Sequence, residues 1–133
     1  MKEGLTMNSE VIRENFNLQS GKNKRAKAYL FLYEFEDNGF FIVYNKSLEL
    51  SAYGKTPEEA KKMFIDVVYP DFCENLAKLP EAEIYKELKR LGWTHSAFLE
   101  KELSNVACVD KEGILRDFNL VEGVTIKDQY VAV

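Results

Sequence analysis

The sequence predicts an α+β fold: a three-stranded antiparallel sheet packed by one amphipathic helix (β-β-β-α), followed by a helical C-terminal part and a late strand. Three observations carry that prediction. Residues 28–36 and 40–44 are β-rich runs separated by Asp37-Asn38-Gly39, and Asn-Gly between such runs marks a hairpin, because both central residues of a type I′ turn need positive φ. Residues 48–53 then alternate, with Leu48, Leu50 and Ala52 set against Glu49, Ser51 and Tyr53, the two-residue period of a half-buried strand. Finally, Thr56-Pro57-Glu58-Glu59-Ala60 opens a helix. The Thr56 hydroxyl can accept a first-turn N–H, Pro57 stands where its missing N–H costs nothing, and Glu59 completes a capping box.

Taken in order, residues 1–27 are polar, with Val11, Ile12, Phe16 and Leu18 scattered among them. Val11, Ile12 and Phe16 would make only a short helical face, interrupted by Asn15, Asn17, Ser20 and Gly21, so this stretch is expected to be a mobile or weakly docked arm, the alternative being that it orders only against a partner or a second copy. In the first strand, Tyr29, Phe31, Tyr33 and Phe35 share one face and Ala28, Leu30, Leu32 and Glu34 the other. The second strand is apolar throughout, as a central strand is. The helix after Thr56 carries Ala60, Met63, Phe64, Val67 and Val68 as its apolar stripe. Tyr69-Pro70 should end or kink it, and Phe72, Cys73, Leu76 and Leu79 continue at helical spacing. Residues 80–91 read as a further helix with Ile84, Leu88 and Leu91 inward and Gly92 as its stop. Thr94 or Ser96 can cap a short helix holding Ala97, Phe98 and Leu103; residues 106–109 read as a short strand and 111–113 as a turn. Residues 124–133 alternate only in part, which suits an edge strand. The organisation expected is an arm, 1–27, and a single domain, 28–133, with a helical extension from residue 80.

Composition narrows the function. With 46% hydrophobic and 30% charged residues the chain has the make-up of a soluble globular protein. No apolar run spans a bilayer and none near the N-terminus serves as a secretion signal, so a cytoplasmic location is expected. Cys73 and Cys108 are read as plain thiols. A net charge of −4 argues against broad nucleic-acid binding, and the one basic cluster, Lys22, Lys24, Arg25 and Lys27, reads as a solvated lead-in.

The runs Asp37-Asn38-Gly39-Phe40-Phe41-Ile42-Val43-Tyr44 and Leu50-Ser51-Ala52-Tyr53-Gly54-Lys55-Thr56-Pro57-Glu58-Glu59-Ala60 resemble the HicB antitoxin family. Its members have an acidic-Gly turn between two strands, a third strand, and a Gly-x-Thr-x-Glu-Glu-Ala helix start. The resemblance covers residues 29–64. It implies a partial ribonuclease-H-like fold and a role in neutralising a small basic ribonuclease toxin by covering it. Two departures stand out. Asn45-Lys46-Ser47-Leu48-Glu49-Leu50 replaces the Asp-x-Pro-Gly-Cys-like passage usual in the family, and the C-terminal part lacks a helix-turn-helix or ribbon-helix-helix pattern.

For catalysis the sequence offers little. His95, beside Trp93, could act as a base but reads better as a helix-flanking residue. His95, Cys73 and Cys108 have no zinc-like spacing. Glu34 and Glu36, joined by Glu49 if the strands align, could hold Mg²⁺ as in a nuclease, but surface solubility is the favoured explanation for them. The expected role is therefore a non-catalytic protein-binding module without cofactor or metal, antitoxin-like. Its acidic rim (Glu34, Glu36, Asp37, Glu49) would face a basic partner and its aromatic residues (Tyr29, Tyr33, Phe35) would supply buried area. The alternatives are a free-standing homo-oligomer and a metal-dependent nuclease. The surplus of aromatic residues on a sheet with two faces requires a second cover, either the C-terminal helices or another molecule.

Overall fold

The computed structural model describes residues 11–18, 26–95, 101–121 and 123–133. Its strands are β1 (Val11–Asn17), β2 (Lys27–Asp37), β3 (Phe40–Asn45), β4 (Leu50–Gly54), β5 (Thr94–His95), β6 (Glu102–Cys108) and β7 (Lys127–Ala132). Its helices are α1 (Pro57–Met63), a π-helical segment (Phe64–Val68), α2 (Tyr69–Ala77), α3 (Glu81–Arg90) and α4 (Lys111–Asp117). The class is α+β, but the three-stranded sheet is overturned. All pairings are antiparallel and build one seven-stranded sheet in the order β4-β3-β2-β1-β6-β5, with β7 also on β2.

The local signals formed as their chemistry dictates. Asn38 and Gly39 take φ of 54° and 83°, and the hairpin closes from Tyr33↔Tyr44 to Asp37↔Phe40. Thr56 Oγ1 accepts the Glu59 N–H at 3.0 Å, while Glu59 Oε1 accepts the Lys55 N–H at 2.8 Å. Thr56→Ala is expected to lower stability by about 1 kcal/mol, measured as the shift in urea midpoint at constant slope.

Pro70 does more than kink the helix. Just upstream, the N–H of Tyr69 bonds to the carbonyl of Phe64, five residues back, so the chain takes one wide turn where proline would otherwise crowd the carbonyl four residues before it. That turn inserts one residue into the helical phase. The buried positions are accordingly Ala60 and Phe64, then Tyr69, Cys73 and Leu76. Met63 and Val67, expected inside, are exposed.

Val11–Asn17 is no arm: it is a strand between β2 and β6. Ile12, Glu14 and Phe16 are buried and Val11, Arg13 and Asn15 exposed. A carboxylate at the middle of the inward face disguised the alternation. The C-terminal part also differs. Leu103 lies on β6, and Asp110 caps α4, accepting the Gly113 N–H at 2.9 Å, where a turn was expected. The short helix expected from Thr94 or Ser96 falls largely outside the described residues.

Much of both sheet faces is covered by the chain itself. On one, Leu30, Leu32, Val43 and Ala52 pack with Phe64, Tyr69, Leu88 and Trp93. On the other, Phe31, Tyr33, Phe35 and Ile42 pack with Ile114 and Ile126, and Phe118 meets the rings of Phe35 and Tyr44 at 5.0 and 4.9 Å. Phe31, Tyr33, Phe35 and Tyr44 thus find their second cover in the chain's own C-terminal segment, while Tyr29 and Phe40 stay exposed.

Candidate functional site

The site lies where the sheet forks. Tyr29 of β2 pairs with Asn15 and with Ala132, and Tyr33 pairs with Tyr44 and with Asp128. A residue has one partner on each edge, so β7 occupies one edge of β2 while β1 and β3 share the other. Between the two ladders, residues 30–32 face a gap, and the backbone of Phe31 would be left without partners there. Two side chains stand in for the missing strand. The Phe31 N–H donates to Glu14 Oε2 at 2.8 Å, and Asn45 Nδ2 donates to the Phe31 carbonyl at 2.9 Å.

These two residues also hold each other. Asn45 Nδ2 gives its second proton to Glu14 Oε2 at 2.9 Å, and Asn45 Oδ1 accepts from the Leu48 N–H at 2.8 Å and from Ser47 Oγ at 3.1 Å. Asn45 is fully buried and Glu14 is 5% exposed. The Trp93 indole donates to the Ser47 carbonyl at 3.0 Å and fixes the β3–β4 turn beneath them. On β1, Ile12 belongs to the core under α4 and Phe16 to the core under α1 and α2. Glu14 stands at the crossing point between them.

A cleft of about 370 Å³ opens along the fork, lined by Glu14, Phe31, Tyr33, Tyr44, Ser47 and Asn105, among others. Burial pushes the Glu14 carboxyl above its ordinary range, against the lowering effect of the Phe31 N–H. Burial likewise raises the phenols of Tyr33 and Tyr44, against the lowering effect of the Asp110 N–H on the first and with the charge of Asp117 adding to it on the second. At the mouth, Lys46 pairs with Asp110 at 3.3 Å and Arg90 with Glu87 at 2.7 Å, solvated pairs that set the local charge more than they add stability. A larger groove of about 630 Å³ between α2 and α3 is mainly apolar.

The residues singled out from sequence are scattered by the fold. Glu34, Glu36 and Asp37 lie toward the β2–β3 turn, with Glu34 opposite Lys127. Glu49 lies in the β3–β4 turn at the far end of β3, 3.8 Å from Arg90, roughly 17 Å of strand away. The acidic rim is therefore not one cluster, and Glu49 cannot share an ion with Glu36. Among the described residues no group of three His, Cys, Asp or Glu side chains is placed to hold a metal. Tyr33 and Phe35 are buried, the Tyr33 hydroxyl accepting the Asp110 N–H at 3.2 Å. Tyr29 is exposed and stacks on Tyr130 at 4.9 Å. His95 packs edge-on against Tyr85. Glu14 and Asn45, which hold the fork, are not legible from the sequence as a pair.

Beside the fork, one part of the sheet keeps a bare face. Register sets Val11 against Cys108, Arg13 against Val106, and Asn15 against both Ser104 and Tyr29. Val11, Val106 and Tyr29 are 46, 59 and 42% exposed, and the Tyr130 hydroxyl accepts the Arg13 N–H at 3.1 Å from the β7 side. Val11, Val106, Tyr29 and Tyr130 are the exposed apolar positions of this face, set among the exposed Arg13, Asn15 and Ser104. Among the described residues, no helix is long and apolar enough to cross a membrane.

No family model, curated protein or solved structure matches this chain.

Proposed function

We propose that this chain is a non-catalytic binding protein that docks another protein on the open face of β1 and β6. The observation that supports this reading is the exposure of Val11, Val106, Tyr29 and Tyr130 on one face of a sheet whose Phe31, Tyr33 and Phe35 are buried against the chain's own C-terminal segment. Exposed apolar area of this kind gains free energy when a partner removes it from water. The perturbed ionisable groups serve the fold: Glu14 fills a gap in a ladder and Tyr33 accepts a backbone N–H. The resemblance of residues 29–64 to HicB antitoxins suggests a small basic ribonuclease as the kind of partner, and a net charge of −4 favours its approach.

The test is size-exclusion chromatography with light scattering on this chain, alone and co-expressed with the product of the adjacent reading frame. A heteromeric complex is expected, weakened at least about tenfold by Val106→Asp, which buries an unpaired charge in the interface. A complex indifferent to Val106→Asp would remove this face from the account. A homodimer broken by Val106→Asp would assign the face to self-association, the antitoxin-like reading then being lost.

A further inference from the structure

We propose that the free edge of β7 is a self-pairing site, where a second copy of this chain adds its own β7 antiparallel and carries the sheet through both molecules. The parity of the β2–β7 ladder decides which backbone groups are available for this. Ala28 and Val133 exchange both backbone bonds, at 3.3 and 2.9 Å, and in an antiparallel ladder such bonded pairs recur at every second residue. Leu30↔Val131, Leu32↔Gln129 and Glu34↔Lys127 are therefore the pairs that tie β7 to β2. Phe31 gives the same parity from the other side, its N–H and carbonyl turning away from β7 to Glu14 and Asn45. The N–H and C=O groups of Asp128, Tyr130 and Ala132 consequently point away from β2. No strand of the sheet lies on that side of β7, and among the described residues these backbone groups have no hydrogen-bond partner.

A row of alternating donors and acceptors is satisfied by an extended strand, and the other ends of the sheet offer less of one. β5 is two residues long, and β4 runs at Gly54 into the first turn of α1. β7 is six residues long, continuous in register and free of proline, and it is uncharged from Gln129 to Ala132. It thus carries few of the devices by which natural edges resist pairing. A second copy fits because the row is self-complementary about Tyr130. A two-fold axis there sets Tyr130 against the second copy's Tyr130, and Asp128 of each copy against Ala132 of the other, so that every outward group of the three residues finds a partner. Gln129 then lies opposite Val131 and Lys127 opposite Val133, and no like charges meet. An axis through Asp128 would instead oppose the two carboxylates.

Paired residues project to the same side of a sheet, so each face continues through the dimer. Tyr29 and Tyr130, stacked at 4.9 Å, would extend across the axis into the same two rings of the second copy, and the β1–β6 faces of both copies would lie on one side. Self-pairing does not rest on the docking reading. Val106 stands on β6, separated from β7 by β1 and β2, so Val106→Asp tests the face and leaves the edge unchanged.

The experiment follows amide exchange of the whole chain by NMR over about a hundredfold range of concentration, with sedimentation velocity at the same concentrations. An edge ladder is a small interface, so the dimer is expected to be weak and to form as concentration rises. As it forms, protection of the Asp128, Tyr130 and Ala132 amides should rise about tenfold or more, while Gln129 and Val131, bonded to β2 in either state, stay level. Two substitutions at the exposed Ala132 test the register. Ala132→Asp sets a carboxylate against the second copy's Asp128 and Ala132→Lys an ammonium. The dimer should be weaker with the first by about fivefold relative to the second, Lys111 beside Asp128 moderating the contrast. A chain that stays monomeric throughout, a dimer that leaves the three outward amides unprotected, or equal affinity in the two variants would each overturn self-pairing. Protection that appears only on adding the product of the adjacent reading frame would do the same, and would hand the edge to that partner.

Discussion

Asn45→Ala is expected to cost about 4 kcal/mol of folding stability, a large share of the roughly 5–15 kcal/mol that holds a domain of this size together. The amide of Asn45 is fully buried and makes four hydrogen bonds, to Glu14, Phe31, Ser47 and Leu48. Truncation leaves the Phe31 carbonyl and the Leu48 N–H buried without partners, each worth about 1–3 kcal/mol, and removes one of the donors to Glu14. Asn45→Asp should be no milder. It keeps an acceptor for Leu48 but loses both donors and sets a second carboxyl against Glu14. Urea denaturation followed by far-ultraviolet circular dichroism measures both. A loss below about 1 kcal/mol for Asn45→Ala would mean that water enters the fork freely and that the two side chains do not replace the missing strand.

The second large effect is expected at Gly54, where β4 runs into the first turn of α1. A Cβ there would stand 2.5 Å from the Ala60 nitrogen, 2.8 Å from Glu59 Cβ and 2.9 Å from the Glu59 carbonyl carbon. Two of those atoms are backbone, fixed by the Thr56 cap, so the clash cannot be relieved by turning a side chain. Gly54→Ala should cost about 3 kcal/mol, the upper part of the range for overpacking, and Gly54→Val should not fold. Gly39→Ala is the contrasting case. Gly39 has φ of +83° and nothing within 4 Å of the would-be Cβ, so only the backbone conformation is penalised, at about 1 kcal/mol. Thermal melts of the two alanine variants should rank Gly54→Ala well below Gly39→Ala. The reverse order would show that α1 can shift away from the sheet.

Gly54 also illustrates how much was legible. The Gly-x-Thr-x-Glu-Glu-Ala passage reads directly as a helix start, because Thr56 and Glu59 reach their partners within four residues. That Gly54 must lack a side chain emerges only when the helix is seen folded back against the strand. Likewise Pro70 announces a disturbance, yet the phase shift that exposes Met63 and Val67 and buries Tyr69 depends on a five-residue hydrogen bond that composition does not encode. At the candidate site the gap is wider. Tyr33 and Phe35 read as aromatic residues available to a partner, and what meets them, the Asp110 N–H on the Tyr33 hydroxyl and the Phe118 ring on Phe35, comes from the flanks of α4, some eighty residues on.

What the chain's own order of residues determined was everything decided within one turn of backbone: the Asn38-Gly39 hairpin, the Thr56 cap, the Pro70 disturbance and the Gly92 stop. Each is a matter of sterics and hydrogen bonds between near neighbours, so its signal survives without the rest of the molecule. Only the tertiary structure decided that Val11–Asn17 enters the sheet, that β2 shares one edge between two strands, and that Glu14 meets Asn45, thirty-one residues away, in the gap. A buried carboxyl in a polar stretch looks like solvent-facing chain until the strands on either side remove its water. Its environment is created by segments that are distant in sequence, and no local pattern can announce it.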